Sequence, residues 1–165
     1  MDSALTPELA LFVEAAERYC AFIETAHHYV LAERLVRCAA ALAQLYAAGL
    51  YLPFTEQPAE IDEPPVPPEV STWPAFEELT LFWQVPDAFA WSAPIVVSLT
   101  ELLLGTYRDV MRGLLILERG APDAADHAAW EWRQQMERYW GAYAADALRA
   151  LNRAIQKVSG GQRDF

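Results

Sequence analysis

Apolar residues recur every three or four positions along most of the chain, which is the spacing of one helix face. Four long stretches follow this pattern. They begin after Thr6, at Leu31, after Ser98 and after Asp123, and Thr, Ser and Asp are residue types that cap helix N-termini. The pattern therefore predicts four long α-helices.

The sequence also marks where these helices end. Glycine often follows a helix because it adopts the left-handed conformation, and proline stops helix continuation. We expect a break within residues 25–29, a C-terminal cap at Gly49 before Pro53, and a second cap at Gly120 before Pro122. The last helix should end near Val158, which leaves residues 159–165 as a frayed tail.

Residues 53–74 contain seven of the eleven prolines. Proline lacks an amide donor and fixes φ, so this segment is predicted to be an extended, partly polyproline connection. Pro74 then opens a short helix that ends at Val85, and an aromatic loop follows from Asp87 to Pro94. We find no convincing strand pattern.

These elements predict an all-α fold within a single domain, residues 1–165. The architecture is an up-and-down bundle of four long helices plus one short helix. Counting the short helix as the third, the Pro-rich acidic connection joins helices 2 and 4.

The charge is unevenly distributed along the chain. The formal net charge is −11, and no Lys or Arg lies between Arg37 and Arg108, where nine acidic residues occur. An acidic chain is a poor nucleic-acid binder, because phosphate contacts need clustered bases. The N-terminus has no signal-peptide pattern, and the Ala-rich stretch 38–55 is too polar and too interrupted for a membrane span. We expect a cytoplasmic protein that binds neither nucleic acid nor membrane.

Catalytic, metal and cofactor motifs are missing. Glu24-Thr25-Ala26-His27 matches one Glu-x-x-His element of di-iron bundles, but the required second element is absent. Cys20 and His27 would lie about 10 Å apart on one helix, too far for a nucleophile and its base. We expect no catalytic residue, no metal and no cofactor, and two reduced, buried cysteines.

Two charged residues interrupt the apolar face of the last predicted helix. Arg133 falls within this face and Glu137 at its edge, four residues further on. They could form a structural ion pair with each other. Alternatively, they could line a ligand pocket together with Asp109 and Tyr107, and the sequence leaves both interpretations open.

Aromatic residues are concentrated in and near the acidic connection. They could cover the bundle as a lid, or form a surface for a partner, since Trp and Tyr anchor interfaces. The candidate partner-surface residues are Trp73, Glu77, Glu78, Trp83, Asp87, Phe89 and Trp91.

The C-terminal third of the chain resembles the signature of an uncharacterised bacterial domain-of-unknown-function family. The matching pieces are Trp130-Glu131-Trp132-Arg133, Tyr139-Trp140-Gly141 and the Ala-Leu-Arg-Ala-Leu run at 147–151. The family usually carries several acids after its Ser-Leu pair, whereas Glu101 is followed here by three leucines and a glycine. The resemblance implies a small all-helical protein and no established activity.

Together, these observations favour a small acidic bacterial protein that acts as a non-enzymatic protein-interaction module. It would be a monomer or homodimer with an unidentified protein partner. An immunity or inhibitor protein for a basic partner is one concrete form, because acidic surfaces attract basic partners. The alternative is a small-molecule-binding or catalytic bundle with a pocket around Arg133, Glu137 and Asp109.

Overall fold

Four long helical segments pack around a common core in the computed structural model, which describes residues 5–61, 63–74, 76 and 79–160. The last segment is interrupted by one π-helical turn, Met136–Trp140, at which the Gly141 amide bonds to the carbonyl five residues before it. The all-α bundle expected from the sequence is confirmed. Its helices are α1 (Pro7–Thr25), α2 (Leu31–Gly49), α3 (Leu99–Glu118), α4 (Ala124–Gln135) and α5 (Gly141–Gly160).

Most of the predicted helix ends are confirmed. The side-chain oxygens of Thr6 and Ser98 each accept a backbone amide three residues ahead, at 3.3 Å in both cases. Gly120 has a φ of 65°, the left-handed conformation expected after α3. The break after α1 is a single 3₁₀ turn, Ala26–His28.

Gly49 does not cap α2, and this prediction was wrong. It lies within the last turn of the helix, and Gly120 alone among the described glycines has a positive φ. Glycine is needed at this position for a different reason. A Cβ atom there would press against the Trp140 ring and the Met136 sulfur.

A two-stranded antiparallel hairpin stands where the sequence predicted the end of the short helix and no strand. β1 (Leu81–Gln84) pairs with β2 (Ile95–Ser98), with Leu81 opposite Ser98. Three apolar residues followed by Gln84 cannot distinguish a strand from a helical turn, and the β-branched residues at 95–97 provide the matching strand.

Two tryptophans of the last helical segment fill the centre of the bundle. Trp132 Nε1 donates to the Val110 carbonyl (2.8 Å) and Trp140 Nε1 to the Trp132 carbonyl (3.1 Å), so neither buried indole lacks a partner. Phe12 of α1 packs against both rings, with centroids 4.8 and 5.9 Å away. These contacts fix α1, α3 and the last helical segment relative to one another.

Candidate functional site

Arg133 joins the last helical segment to the beginning of the Pro-rich connection. Its Nη1 donates to the Leu52 carbonyl oxygen (2.7 Å), and its guanidinium carbon lies 4.1 Å from the centroid of the Phe54 ring. Its Nε is 3.2 Å from the Glu137 carboxylate, so the ion pair that the sequence offered as one of two interpretations is formed. Arg133 therefore has a structural role that extends beyond this pair.

Two further side chains hold the connection by its carbonyl groups. His127 Nε2 is 2.7 Å from the Ala59 carbonyl oxygen, and Arg119 Nη1 donates to the Glu63 carbonyl oxygen (2.5 Å). Sequence reasoning missed both contacts. The available signal was that a proline-rich segment cannot satisfy its own carbonyl groups, so donors must come from elsewhere.

A groove of about 260 Å³ lies beside the Arg133–Glu137 pair. Its other lining residues are Tyr46, Gly49, Leu50, Met136 and Gly141. The remaining two pocket candidates, Tyr107 and Asp109, do not line it. The structure thus brings Arg133 and Glu137 together at a groove and leaves Tyr107 and Asp109 elsewhere.

Tyr107 points towards α1, where its hydroxyl donates to Glu24 Oε1 (2.8 Å). Burial and this bond to a carboxylate both raise the pKa of Tyr107. Such a tyrosine stays protonated and links two helices. The contact gives Tyr107 a structural role between α3 and α1.

Asp109 lies on a different flank of α3. Burial raises the pKa of its carboxyl group, whereas the positive charges of Arg112 and Arg108 lower it, and the Glu131 carboxylate raises it. Glu131 itself pairs with Arg112 at 3.3 Å. Asp109 therefore belongs to a charge cluster between α3 and α4.

The aromatic candidates divide between the two interpretations left open by the sequence. Trp73 is half-buried, its Nε1 donates to Thr100 Oγ1 (3.1 Å), and its ring meets Phe76 edge-on. Trp73 therefore covers the start of α3 as a lid residue would. Glu77 and Glu78 lie outside the described residues.

The remaining candidates are exposed on the hairpin. Trp83 is 67% exposed on β1, while Phe89 and Trp91 in the connecting loop are 102% and 95% exposed. The exposed Asp87 accepts the Phe89 amide (2.8 Å), a local turn that shapes the loop. Leu81 and Val96 are also exposed on the strands. We call Leu81, Trp83, Phe89, Trp91 and Val96 the hairpin surface.

The potential metal ligands in the described part of the chain are His, Cys, Asp and Glu side chains, which include the two cysteines. No group of three or more His, Cys, Asp and Glu side chains there could hold a metal ion. Cys20 and Cys38 are free and buried, and burial raises the pKa of both thiols.

None of the helices within the described ranges is long and apolar enough to cross a membrane.

The fold and its surfaces define a small helical-bundle domain that carries an exposed aromatic hairpin. The model of a family described as a domain of unknown function, DUF5063, matches residues 3–157, so the chain belongs to this family. Membership of an uncharacterised domain family, expected from the resemblance, is thereby confirmed.

A solved structure shares the fold. The crystal structure of protein BF1032 from Bacteroides fragilis, a structural-genomics target, is similar with a TM-score of 0.73 and 17% sequence identity. The similarity covers 88% of this chain and 90% of that one. No functionally curated protein matches the chain.

Proposed function

We propose that this domain is a protein-interaction module that contacts its partner through the hairpin surface. The observation that carries the proposal is the near-complete exposure of Phe89 and Trp91. Exposed apolar groups are costly in water, and clustered ones mark interaction sites. Trp is also among the residues that contribute most to interface affinity.

The hairpin is held in place, which favours binding. The Gln84 side chain bonds to the Asp146 carboxylate, and Arg149 Nη2 donates to the Trp83 carbonyl (2.9 Å), so β1 is fixed to α5 at two points. A surface that is already ordered loses less conformational entropy when a partner binds. The anchoring therefore supports a role for the hairpin in binding a partner, because an unstructured loop would lose more entropy on binding.

An immunity or inhibitor protein for a basic partner is a more specific form of this proposal. The net charge of −11 and the exposed acids of the connection, Glu56, Glu60, Glu63 and Glu69, support it through long-range attraction. The short-range contact would still be made by the hairpin surface.

Site-specific photo-crosslinking in cells that produce the protein naturally tests the proposal. A photoreactive phenylalanine analogue replaces Phe89 or Trp91, and a matched control replaces Leu11, an exposed apolar residue of α1. We expect a discrete adduct with another protein from positions 89 and 91 and none from position 11. Equal adducts from all three positions, or no adduct from any, would contradict the proposal.

A further inference from the structure

A groove of about 160 Å³ separates the hairpin from α5. Three bases line it on the helix side: Arg149, Arg153 and Lys157. They are spaced four residues apart and therefore lie along one face of α5. Apolar residues form the rest of the wall, namely Leu79, Leu81, Phe82, Trp83, Ala150 and Ala154.

The charge of this groove is opposite to that of the whole chain. No acid is among its lining residues, although the net charge of the protein is −11. Within the described ranges, none of the three bases forms an ion pair with a carboxylate. Arg149 donates to the Trp83 carbonyl and Arg153 to Gln156 (3.2 Å), and both acceptors are neutral.

The nearest carboxylate on α5 is also occupied. Asp146, one turn before Arg149, accepts a hydrogen bond from Gln84. That bond leaves the negative charge of Asp146 in place beside Arg149, but Arg153 and Lys157 lie about two and three turns further on, where α5 has no acidic residue. Guanidinium groups bind carboxylates through directed, charge-assisted hydrogen bonds, so this groove is complementary to an acidic group.

We infer that the groove receives an acidic segment of the protein partner. A Glu or Asp carboxylate of that segment would lie between Arg153 and Lys157, and an adjacent apolar side chain would pack on Leu81 and Trp83. This inference rests on the proposed function, because Leu81 and Trp83 belong to the hairpin surface. It adds that the contact at this edge recognises negative charge, whereas the sequence had suggested a basic partner.

Titration of the full chain with two synthetic peptides tests the inference. One nine-residue peptide alternates Leu with Glu, and the other alternates Leu with Lys. Amide chemical shifts measured by NMR report both the affinity and the site. We expect the Glu peptide to shift amides of β1 and α5, and the Lys peptide to leave them unchanged.

A pair of charge-reversal variants provides the matched comparison. R153E/K157E places two acids in the groove, and R108E/R138E makes the same change in net charge at exposed arginines outside it. We expect the first variant to weaken binding of the Glu peptide by about tenfold or more, and the second to change it by less than about twofold. If the reversal disturbs the hairpin amides before any peptide is added, R153Q/K157Q takes its place.

Two results would overturn the inference. They are equal weakening in both double variants and binding of the Lys peptide at the same amides. Neither of them bears on the crosslinks from positions 89 and 91. A partner crosslinked there that binds R153E/K157E normally would refute the charge preference and leave the proposed function standing.

Discussion

The guanidinium of Arg133 makes three contacts of unequal value. Its ion pair with Glu137 involves a carboxylate that is 54% exposed, and solvent screens such pairs strongly. Its hydrogen bond to the Leu52 carbonyl and its contact with the Phe54 ring hold a different part of the chain. The latter two contacts should therefore dominate the contribution of Arg133 to stability.

Substitution of the two residues separates these contributions. Arg133→Ala should lower the free energy of unfolding by about 1–3 kcal/mol, because a charge-assisted hydrogen bond is lost. Glu137→Ala should lower it by less than about 0.5 kcal/mol. Urea unfolding measures both values. Equal losses in the two variants would mean that the ion pair accounts for the stabilisation and the contacts with Leu52 and Phe54 do not.

Two glycines of α3 should respond in opposite ways to replacement by alanine. A Cβ atom at Gly113 would overlap the Trp132 ring, whereas one at Gly105 would sit 3.4 Å from the Tyr143 ring, an ordinary contact. We expect Gly113→Ala to destabilise the fold by about 1–3 kcal/mol. Gly105→Ala should be neutral or stabilise it by up to about 1 kcal/mol through helix propensity. A neutral Gly113→Ala in urea unfolding would contradict the close packing of α3 against Trp132.

Asp109 should make stability depend on pH in a defined direction. Its pKa is raised above the ordinary 3.8 mainly by burial, so the charged carboxylate opposes folding once the pH rises through the raised value. Asp109→Asn should therefore stabilise the protein at neutral pH, and the gain should disappear as the pH falls below about 3.8. Urea midpoints at several pH values measure this difference. Destabilisation at neutral pH would show that the charges of Arg112 and Arg108 outweigh burial.

At the scale of elements, the Pro-rich connection depends on donors supplied by the helices. Arg119 and His127 bind its carbonyl groups at Glu63 and Ala59. The double variant Arg119→Ala/His127→Ala should be cut faster after the connection's glutamates by a Glu-specific protease, because the segment is no longer fixed. The helices should remain folded by circular dichroism.

Arg138→Ala is the matched control for this experiment, since Arg138 is exposed on the π-helical turn and no contact with the connection is seen in the described residues. It should be cut at the wild-type rate. Equal rates for the wild type and the double variant would show that the two bonds do not hold the connection.

The helices and the hairpin differ in how far the sequence could predict them. The cap at Thr6, the cap at Ser98 and the break at 25–29 are local signals, and all three were correct. β1 and β2 are only four residues each and become strands by pairing with each other. A pairing across a ten-residue loop leaves no periodicity within either strand, so the sequence pattern predicts the end of a helix at β1.

In the candidate site, too, contacts within one helix can be predicted from the sequence and contacts between distant elements cannot. The four-residue spacing of Arg133 and Glu137 indicates that the two can pair, but it leaves a ligand pocket open as the alternative. The contacts of Arg133 with Leu52 and Phe54, and that of Tyr107 with Glu24, join elements distant in sequence. They depend on how the helices pack, which the pattern along one helix does not contain.

At the scale of the whole molecule, the part of the acidic connection around residues 59–63 is held away from the hairpin surface. The sequence placed the acids and the aromatic residues together in residues 53–92. In the structure, carbonyl groups at 59 and 63 are bound at the junction of α3 and α4, whereas the hairpin is fixed to α5 at 146 and 149. His127 and Arg149 are about 33 Å apart along the last helical segment. A partner on the hairpin surface would therefore meet the bases of α5 before the acids of the connection.

Quantitative co-purification from the natural host tests the central claim most directly. The comparison uses the tagged wild-type protein, the hairpin variant F89S/W91S and the control variant L50S/Y51S, whose side chains are also large and exposed but lie outside the hairpin. All three should fold, since none of these side chains is buried. We predict that one protein is enriched with the wild type and L50S/Y51S and lost with F89S/W91S. The same recovery from all three, or selective loss with L50S/Y51S, would contradict the claim that the hairpin surface binds the partner.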